Sequence, residues 1–251
     1  PELDGRVLIN SIGTGLERAL QEQVRSERLK ADLITNVSHD IKTPLTSIIG
    51  YSDTLRHVKL NDEQKDRALE HISREGKRLE KLSEKMLQML GLHQNDSIKM
   101  ESHSIGELLE HVVQLEAEQA AQRQIQLQTE YEDFSMKMDD ELMESLLVNL
   151  IDNALRATEA GGRITVKAYK ESGRKILEVA DNGRGIPQEE LGKITEAFYM
   201  VDKSRSRQMG GVGLGLALVR EIARLHGGSV RAEARAEGGT AFRVVLPRQQ
   251  V

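Results

Sequence analysis

The chain has 251 residues, of which 38% are apolar and 30% charged, a size and composition that favour two folded domains over disorder. Its net charge of −5 provides no basic surface for nucleic acid, and the absence of cysteine excludes disulfides and thiol chemistry. No apolar run approaches the roughly 20 residues that a bilayer crossing needs. Aromatic residues make up only 3%, so we expect aliphatic cores.

The first part of the chain predicts two long helices. A helical pattern runs from about Leu16 to Leu55, with a mainly apolar stripe at alternating steps of four and three from Leu20 to Leu55 that is interrupted by Glu27 and two serines; a second stripe runs from Leu69 to Leu90. The second pattern follows Asp62 and Glu63, acidic residues that suit a helix N-terminus. A short connection makes the pair an antiparallel hairpin. Because one hairpin cannot cover both of its apolar faces, we expect a homodimer in which two hairpins form a four-helix bundle.

The composition changes after a polar segment at Gly91–Asn95, where we expect a linker that acts as a hinge. Short alternating stretches then predict strands, interleaved with helical patterns and with a hairpin turn at Ser172-Gly173. The predicted helices are 104–122, 140–158 and 215–225, and the predicted strands are 125–131, 164–169, 175–180, 229–234 and 241–246. This order of elements predicts an α+β sandwich after the helical hairpin.

A first motif lies in the first helix and reads Ser38-His39-Asp40-Ile41-Lys42-Thr43-Pro44. His39 is one position past the apolar stripe, so it is expected to face outward. A carboxylate at Asp40 can take the ring proton and leave the other nitrogen free to attack phosphorus. Pro44 lacks an N–H and releases the carbonyl of Asp40, bending the helix. The alternative is an ordinary surface histidine.

A second motif places Asn149, Asn153 and Arg156 at i, i+4 and i+7, on one face of a predicted helix. Amide oxygens suit Mg²⁺, which shares its ligands with nucleotide phosphates, and a guanidinium suits phosphate oxygens. By itself, a pair of asparagines on a helix is more often a solvated face.

A third motif, Asp181-Asn182-Gly183-Arg184-Gly185, follows an apolar strand. A carboxylate at a strand end can accept a hydrogen bond from an exocyclic amine, and glycines let the backbone approach a flat base; the alternative is a tight turn. Later, a glycine-rich segment at residues 210–215 precedes a helix, where N–H groups can bind phosphate. It is neither a P-loop nor a dinucleotide fingerprint.

In this order the motifs resemble those of the histidine kinases of two-component signalling. The segment around His39 resembles the H box of their dimerisation and phosphoacceptor domain. The boxes named N, G1, F and G2 of the Bergerat ATP-binding fold, shared with DNA gyrase, MutL-type proteins and Hsp90, resemble residues 149–153, 181–185, 198–199 and 211–215.

The resemblance implies ATP-dependent autophosphorylation on His39, with Asp40 as acid–base partner, and relay to the receiver domain of a response regulator. Thr43 would position water when that regulator is dephosphorylated. It also implies Mg²⁺ on Asn153 and a mobile lid over residues 199–209. The implied ATP-binding residues are Asn149, Asn153, Arg156, Asp181, Gly183, Gly185, Ile186, Tyr199, Lys203, Gly211, Gly213, Leu214 and Gly215.

The expected domains are a signalling-helix or HAMP-like linker at 1–23, the dimerisation and histidine phosphotransfer domain at 24–92 and the ATP-binding domain at 98–250. We expect a cytoplasmic location, with a membrane contacted only through an N-terminal sensor region.

The sequence departs from the family in several positions. Asn149 stands where the ATPases of the superfamily place a glutamate, and an amide cannot activate water. Met200 replaces a common arginine of the lid, for which Lys203, Arg205 and Arg207 are candidate substitutes. Ala157 and Val212 are also unusual. Two alternatives therefore stay open: a regulator phosphatase or signalling scaffold with weak autokinase activity, and an ATPase of the gyrase and Hsp90 type.

Overall fold

The computed structural model describes residues 20, 35, 37, 38, 40–94, 98–201 and 213–248. The chain divides into two compact units, Pro1–Ser83 and Glu84–Val251. Within the described ranges, no helix combines the length and the hydropathy that a bilayer crossing requires.

Two helices make up the described part of the first unit. Helix α1 covers residues 40–57, and α2 covers Asp62–Gln94, which continues into the second unit. Asn61 and Gln64 form a capping box at the start of α2, because the amide oxygen of each side chain accepts the backbone N–H of the other, at 2.8 and 3.1 Å. The predicted helix start at Asp62 is confirmed.

Part of α2 is already buried within the single chain. Ala68, Leu82 and Met89 are buried, whereas Leu69, the first residue of the predicted stripe, is 55% exposed. The predicted stripe faces the core of a bundle of two copies, so it stays a prediction. The predicted linker at Gly91–Asn95 is wrong in its first part, since the helix continues through buried Leu92 to Gln94.

The second unit contains three further helices and seven strands among its described residues. The helices are α3 Ile105–Gln122, α4 Asp140–Ala157 and α5 Gly215–Leu225. The strands are β1 Glu101–Ser104, β2 Gln126–Tyr131, β3 Ser135–Met138, β4 Arg163–Glu171, β5 Arg174–Asp181, β6 Ser229–Ala234 and β7 Thr240–Leu246. Strands β1 and β3, of four residues each, were not predicted because they are too short for a clear alternation.

Strands β2, β4, β5, β7 and β6 form a five-stranded sheet in that order, parallel only between β2 and β4. Helices α3, α4 and α5 form the other layer, and the core between them is almost entirely aliphatic. The predicted helical hairpin followed by an α+β sandwich is thus confirmed. The sheet register pairs Val166 with Val179 and Ile164 with Asp181, which places Asp181 on the same face of β5 as Val179.

The starts of the three helices differ in their capping. The side chains of Ser104 and Asp139 cap α3 and α4 by accepting backbone N–H groups of their first turns. Helix α5 begins after Leu214 without a side-chain cap and without an acidic residue in its first turn. At its other end, buried His226 donates from Nδ1 to the carbonyl of Ile222 and accepts the backbone N–H of Asp139 on Nε2.

Candidate nucleotide site and phosphoacceptor segment

The candidate phosphoacceptor segment belongs to the first unit. His39 lies outside the described residues. The two residues predicted to assist it are both helical: Asp40 is half-buried and Thr43 is exposed. Pro44 is buried inside α1, which continues to residue 57 without interruption.

Asp181 forms the most enclosed part of the candidate nucleotide site, with 1% of its surface exposed. Its Oδ1 accepts the backbone N–H of Gly183 at 2.9 Å and that of Thr240 at 3.3 Å. Burial raises the pKa of this carboxyl, and these two N–H groups and the nearby Arg235 partly oppose the rise. Both of these N–H groups bond to Oδ1, so Oδ2 is the oxygen that remains for a ligand.

The glycines around Asp181 are required by close backbone contacts. A Cβ on Gly183 would lie 2.2 Å from the carbonyl oxygen of Ala157, and a Cβ on Gly239 would lie 2.1 Å from that of Asp181. Gly185 and Gly239 also have positive φ angles of 71° and 85°. The loop after β5 therefore rests directly on the C-terminal end of α4.

The two asparagines of α4 differ in their surroundings. Asn149 is 8% exposed, and its amide nitrogen donates to the backbone carbonyl of Ser145 at 2.8 Å. Its Oδ1 accepts from the ammonium of Lys85, also at 2.8 Å. Asn153 is half-buried, and no described residue forms a hydrogen bond with its side chain. The amide of Asn153 is therefore available to a cation or a ligand.

Arg156, the predicted phosphate contact, already has an anionic partner. Its Nε lies 3.2 Å from both carboxylate oxygens of Asp152, and its Nη2 lies 3.1 Å from one of them. The two side chains are about one turn apart on α4 and are 21% and 24% exposed. A phosphate at Arg156 would have to share or replace this partner.

The remaining site residues lie in the segment between β5 and α5. Ile186 and Tyr199 are half-buried, and Leu214 is buried. Phe198, which directly precedes the predicted lid, donates its N–H to the carbonyl of Gly213 at 2.8 Å. Both residues have positive φ angles, of 65° and 74°. Lys203 and Gly211 lie outside the described residues.

Helix α4 is the common wall of this site. Asn149 approaches the first turn of α5, with its Oδ1 3.0 Å from where a Cβ on Gly215 would be. About two turns later, Ala157 accepts the N–H of Arg184 at 3.1 Å in the loop after Asp181. The available side chains fit a nucleotide. Oδ2 of Asp181 can accept a hydrogen bond from an exocyclic amine. The amide oxygen of Asn153 suits a Mg²⁺ ion that takes most of its ligands from water and phosphate oxygens. No cluster of three or more metal-ligating side chains occurs in the part of the chain that the structure describes.

Several residues at this site were not anticipated from the sequence. Lys85 contacts Asn149 from 64 positions away, and Thr240 contacts Asp181 from 59 positions away. No motif marks either residue, so only tertiary contacts reveal them. Asp152 is different: its i, i+4 spacing from Arg156 on a predicted helix predicts an ion pair.

Comparison with known families agrees with this geometry. Residues 138–250 match the model of the histidine kinase-, DNA gyrase B- and HSP90-like ATPases, and residues 29–90 match that of the His Kinase A (phospho-acceptor) domain. Together these two domains define a protein-histidine kinase. The chain belongs to the sensor histidine kinases of two-component signalling.

Individual relatives support the same family. The chain is 30% identical over 230 residues to the sensor protein KdpD of Clostridium acetobutylicum and 32% identical over 217 residues to the sensor histidine kinase YkoH of Bacillus subtilis. These alignments cover 90% and 86% of this chain but only 26% and 47% of the relatives, so the chain spans less than half of their length. In fold it is similar to histidine kinase ThkA, solved in complex with response regulator TrrA, with a TM-score of 0.75, 24% identity and coverage of 92% of this chain and 66% of that one.

Proposed function

We propose that this chain transfers the γ-phosphoryl group of Mg²⁺-bound ATP to His39 and then relays it to an aspartate of a response regulator. A ring nitrogen of His39 attacks the γ-phosphorus, the bond to the β-γ bridging oxygen breaks, and ADP leaves. The carboxylate of Asp40 takes the proton from the other ring nitrogen. The products are ADP and a phosphohistidine.

The observation that carries the proposal is that the asparagine motif on α4 meets the two glycine-containing motifs. Asn149 approaches the start of α5, and Ala157 bonds to the loop after Asp181. A phosphoacceptor domain match lies in the same chain. Asn153 would contribute its amide oxygen to Mg²⁺, which supplies charge neutralisation at the phosphates. The side chain of Asn149 is an amide and cannot activate water, whereas the related ATPases have a glutamate at this position. This favours phosphoryl transfer to a histidine over hydrolysis of ATP.

Incubation with γ-³²P-ATP and Mg²⁺ tests the proposal. We expect label that is lost in acid but stable in alkali, absent from His39→Ala and unchanged in His57→Ala, which replaces an exposed histidine at the end of α1. Chelation of Mg²⁺ should also abolish the label. Wild-type protein that stays unlabelled would contradict the proposal, and phosphate release that persists in His39→Ala would favour the ATPase alternative.

A regulator phosphatase is the second candidate, favoured by Met200 at a lid position where the family commonly has arginine. Thr43, exposed and three residues after Asp40, would position the water that attacks the regulator's phosphoaspartate. We expect Thr43→Ala to retain autophosphorylation while slowing loss of label from a phosphorylated receiver domain. If wild type and Thr43→Ala removed label from the receiver domain at the same rate, this role of Thr43 would be excluded.

We further propose a homodimer through the helical hairpin. Ile41, Leu45 and Ile49 lie four residues apart on α1 and are 38%, 44% and 53% exposed in the single chain, and Leu69 of α2 is 55% exposed. A second copy that covers this face would explain it. Sedimentation equilibrium should give twice the mass of 28.1 kDa, and Leu45→Glu should shift the protein towards monomer.

The receiver-domain partner is inferred from the family and from the ThkA complex with its regulator TrrA. The domain limits at residues 24–92 and 98–250, the cytoplasmic location and the membrane-anchored sensor stay predictions from the sequence. Profiling phosphoryl transfer against a panel of receiver domains would identify the partner.

A further inference from the structure

Lys85 lies beside the candidate phosphate end of the site, although no motif includes it. Its ammonium donates to Oδ1 of Asn149 at 2.8 Å and lies 3.5 Å from where a Cβ on Gly215, the first residue of α5, would be. The amide nitrogen of Asn149 is held by the carbonyl of Ser145. One buried amide therefore fixes the ammonium next to the first turn of α5.

The position of Lys85 is set by the last turns of α2, which belong to the second unit. Gln88 donates to the hydroxyl of Ser145 on α4 at 2.7 Å, and Met89 and Leu92 are buried. These residues follow Lys85 at three, four and seven positions, so they lie on the same face of the helix. Lys85 is thus part of an ordered contact between α2 and α4.

The electrostatics at this point favour an anion. The N-terminus of a helix carries a partial positive charge, which an acidic residue or a capping side chain normally offsets. Helix α4 has Asp139 as its cap and acidic residues in its first turn, whereas α5 has neither. Among the described residues, the ammonium of Lys85 lies close to the start of α5, and its charge has the same sign as the helix end. A phosphate would be attracted by both groups.

We propose that Lys85 is a phosphate-binding residue of the nucleotide site, supplied by α2. The inference rests on the proposed ATP binding and goes beyond the family's nucleotide-binding boxes, none of which includes α2. The ammonium would donate to a phosphate oxygen while Asn149 keeps it in position. The helix that follows the phosphoacceptor helix would then contact the nucleotide directly.

Titration calorimetry of the whole chain with Mg²⁺ and AMP-PNP tests this role, because it measures binding without turnover. Lys85→Met keeps the length of the side chain and removes its charge, and we expect its Kd for AMP-PNP to rise about tenfold. Lys85→Arg should stay within about threefold of wild type. Lys81→Met removes the same charge from an exposed position one turn earlier on α2 and should leave the Kd within about twofold.

Adenosine, which has no phosphate, separates a phosphate contact from general damage to the pocket. We expect Lys85→Met to bind adenosine within about twofold of wild type. The affinity of wild type for AMP-PNP should also fall more steeply with salt than that of Lys85→Met, which a purely structural lysine would not produce.

An unchanged Kd for AMP-PNP in Lys85→Met would overturn the inference and leave the proposed function intact. A lower Kd would overturn it as well, because it would mean that the ammonium competes with the metal ion at Asn149. Wild-type protein without affinity for AMP-PNP would overturn both the inference and the proposed function.

Discussion

The two ends of the candidate nucleotide site are built in different ways. At the Asp181 end, backbone groups hold the carboxylate: the N–H groups of Gly183 and Thr240 bond to it, and the surrounding glycines pack backbone against backbone. At the α4 end, side chains hold side chains: Lys85 bonds to Asn149, and Asp152 bonds to Arg156.

From this difference we expect the Asp181 end to recognise the base and the α4 end to accommodate the phosphates. A buried carboxylate fixed by backbone donors cannot move without displacing β5 and β7, so it can select one donor group of a base. The pair of Asp152 and Arg156 is partly exposed and can rearrange at small cost, which suits phosphates whose number and charge change during a reaction. Substitutions at the Asp181 end should therefore have larger effects than substitutions at the α4 end.

The largest effect is expected for Asp181→Asn. The amide is similar in shape, but it removes a charged acceptor and brings an NH₂ group towards either the N–H of Gly183 or the incoming amine. We expect affinity for AMP-PNP to fall about 30-fold, since a hydrogen bond to a charged group contributes about 2 kcal/mol. Calorimetry provides the measurement. Asp133→Asn, in an exposed loop, is the control, and equal affinities of the two variants would refute the role of Asp181.

Gly183→Ala should come next. Its Cβ would lie 2.2 Å from the backbone oxygen of Ala157, so the loop must move away from α4. We expect about tenfold weaker binding of AMP-PNP and a loss of about 1–3 kcal/mol in the free energy of unfolding, as overpacking typically causes. Gly192→Ala is matched because nothing lies within 4 Å of its Cβ. If urea denaturation gave similar free energies of unfolding for the two variants, the contact between Gly183 and α4 would not constrain the loop after β5.

His226 tests how firmly the start of α4 is anchored. Burial lowers the pKa of His226, opposed by the carbonyl of Ile222 and by Asp139. The folded protein thus keeps the ring neutral while the unfolded chain gains a proton near pH 6.5. The contribution of His226 to stability is complete above about pH 6.5 and decreases as the pH falls from there towards the lowered folded pKa.

Replacing His226 with Gln should therefore lower the free energy of unfolding at pH 7.5 by about 1 kcal/mol and flatten its decrease below about pH 6.5. Urea denaturation at several pH values measures both changes. His111→Gln, at an exposed histidine of the same unit, is the control. A His226→Gln protein with the wild-type slope would assign the pH dependence to other groups.

The smallest effect is expected at the α4 end. Asp152→Asn removes the carboxylate of the ion pair with Arg156, so a phosphate no longer competes with that carboxylate for the guanidinium. We expect affinity for AMP-PNP to rise about threefold, in line with the modest energy of a partly exposed ion pair. Arg156→Met should lower it. If Asp152→Asn instead weakened binding, the pair itself would be part of the site.

Much of the fold could be read from the sequence because it depends on local periodicity and turn chemistry. The sequence predicted the three helices of the second unit, its five longer strands and the hairpin at Ser172-Gly173, where both residues adopt positive φ. It also predicted Asp181 and the glycines beside it as one motif. These features follow from residues that are neighbours in the chain.

Tertiary structure alone decided which side of α2 is buried, where that helix ends and which partners hold the site residues. Leu69 and Leu82 are equally apolar in the sequence, yet only Leu82 is buried. The ammonium of Lys85 reaches Asn149, and the N–H of Thr240 reaches Asp181, across intervals that no local pattern spans. Burial and hydrogen bonding depend on which surfaces meet in space, and the spacing of residues along the chain does not determine that.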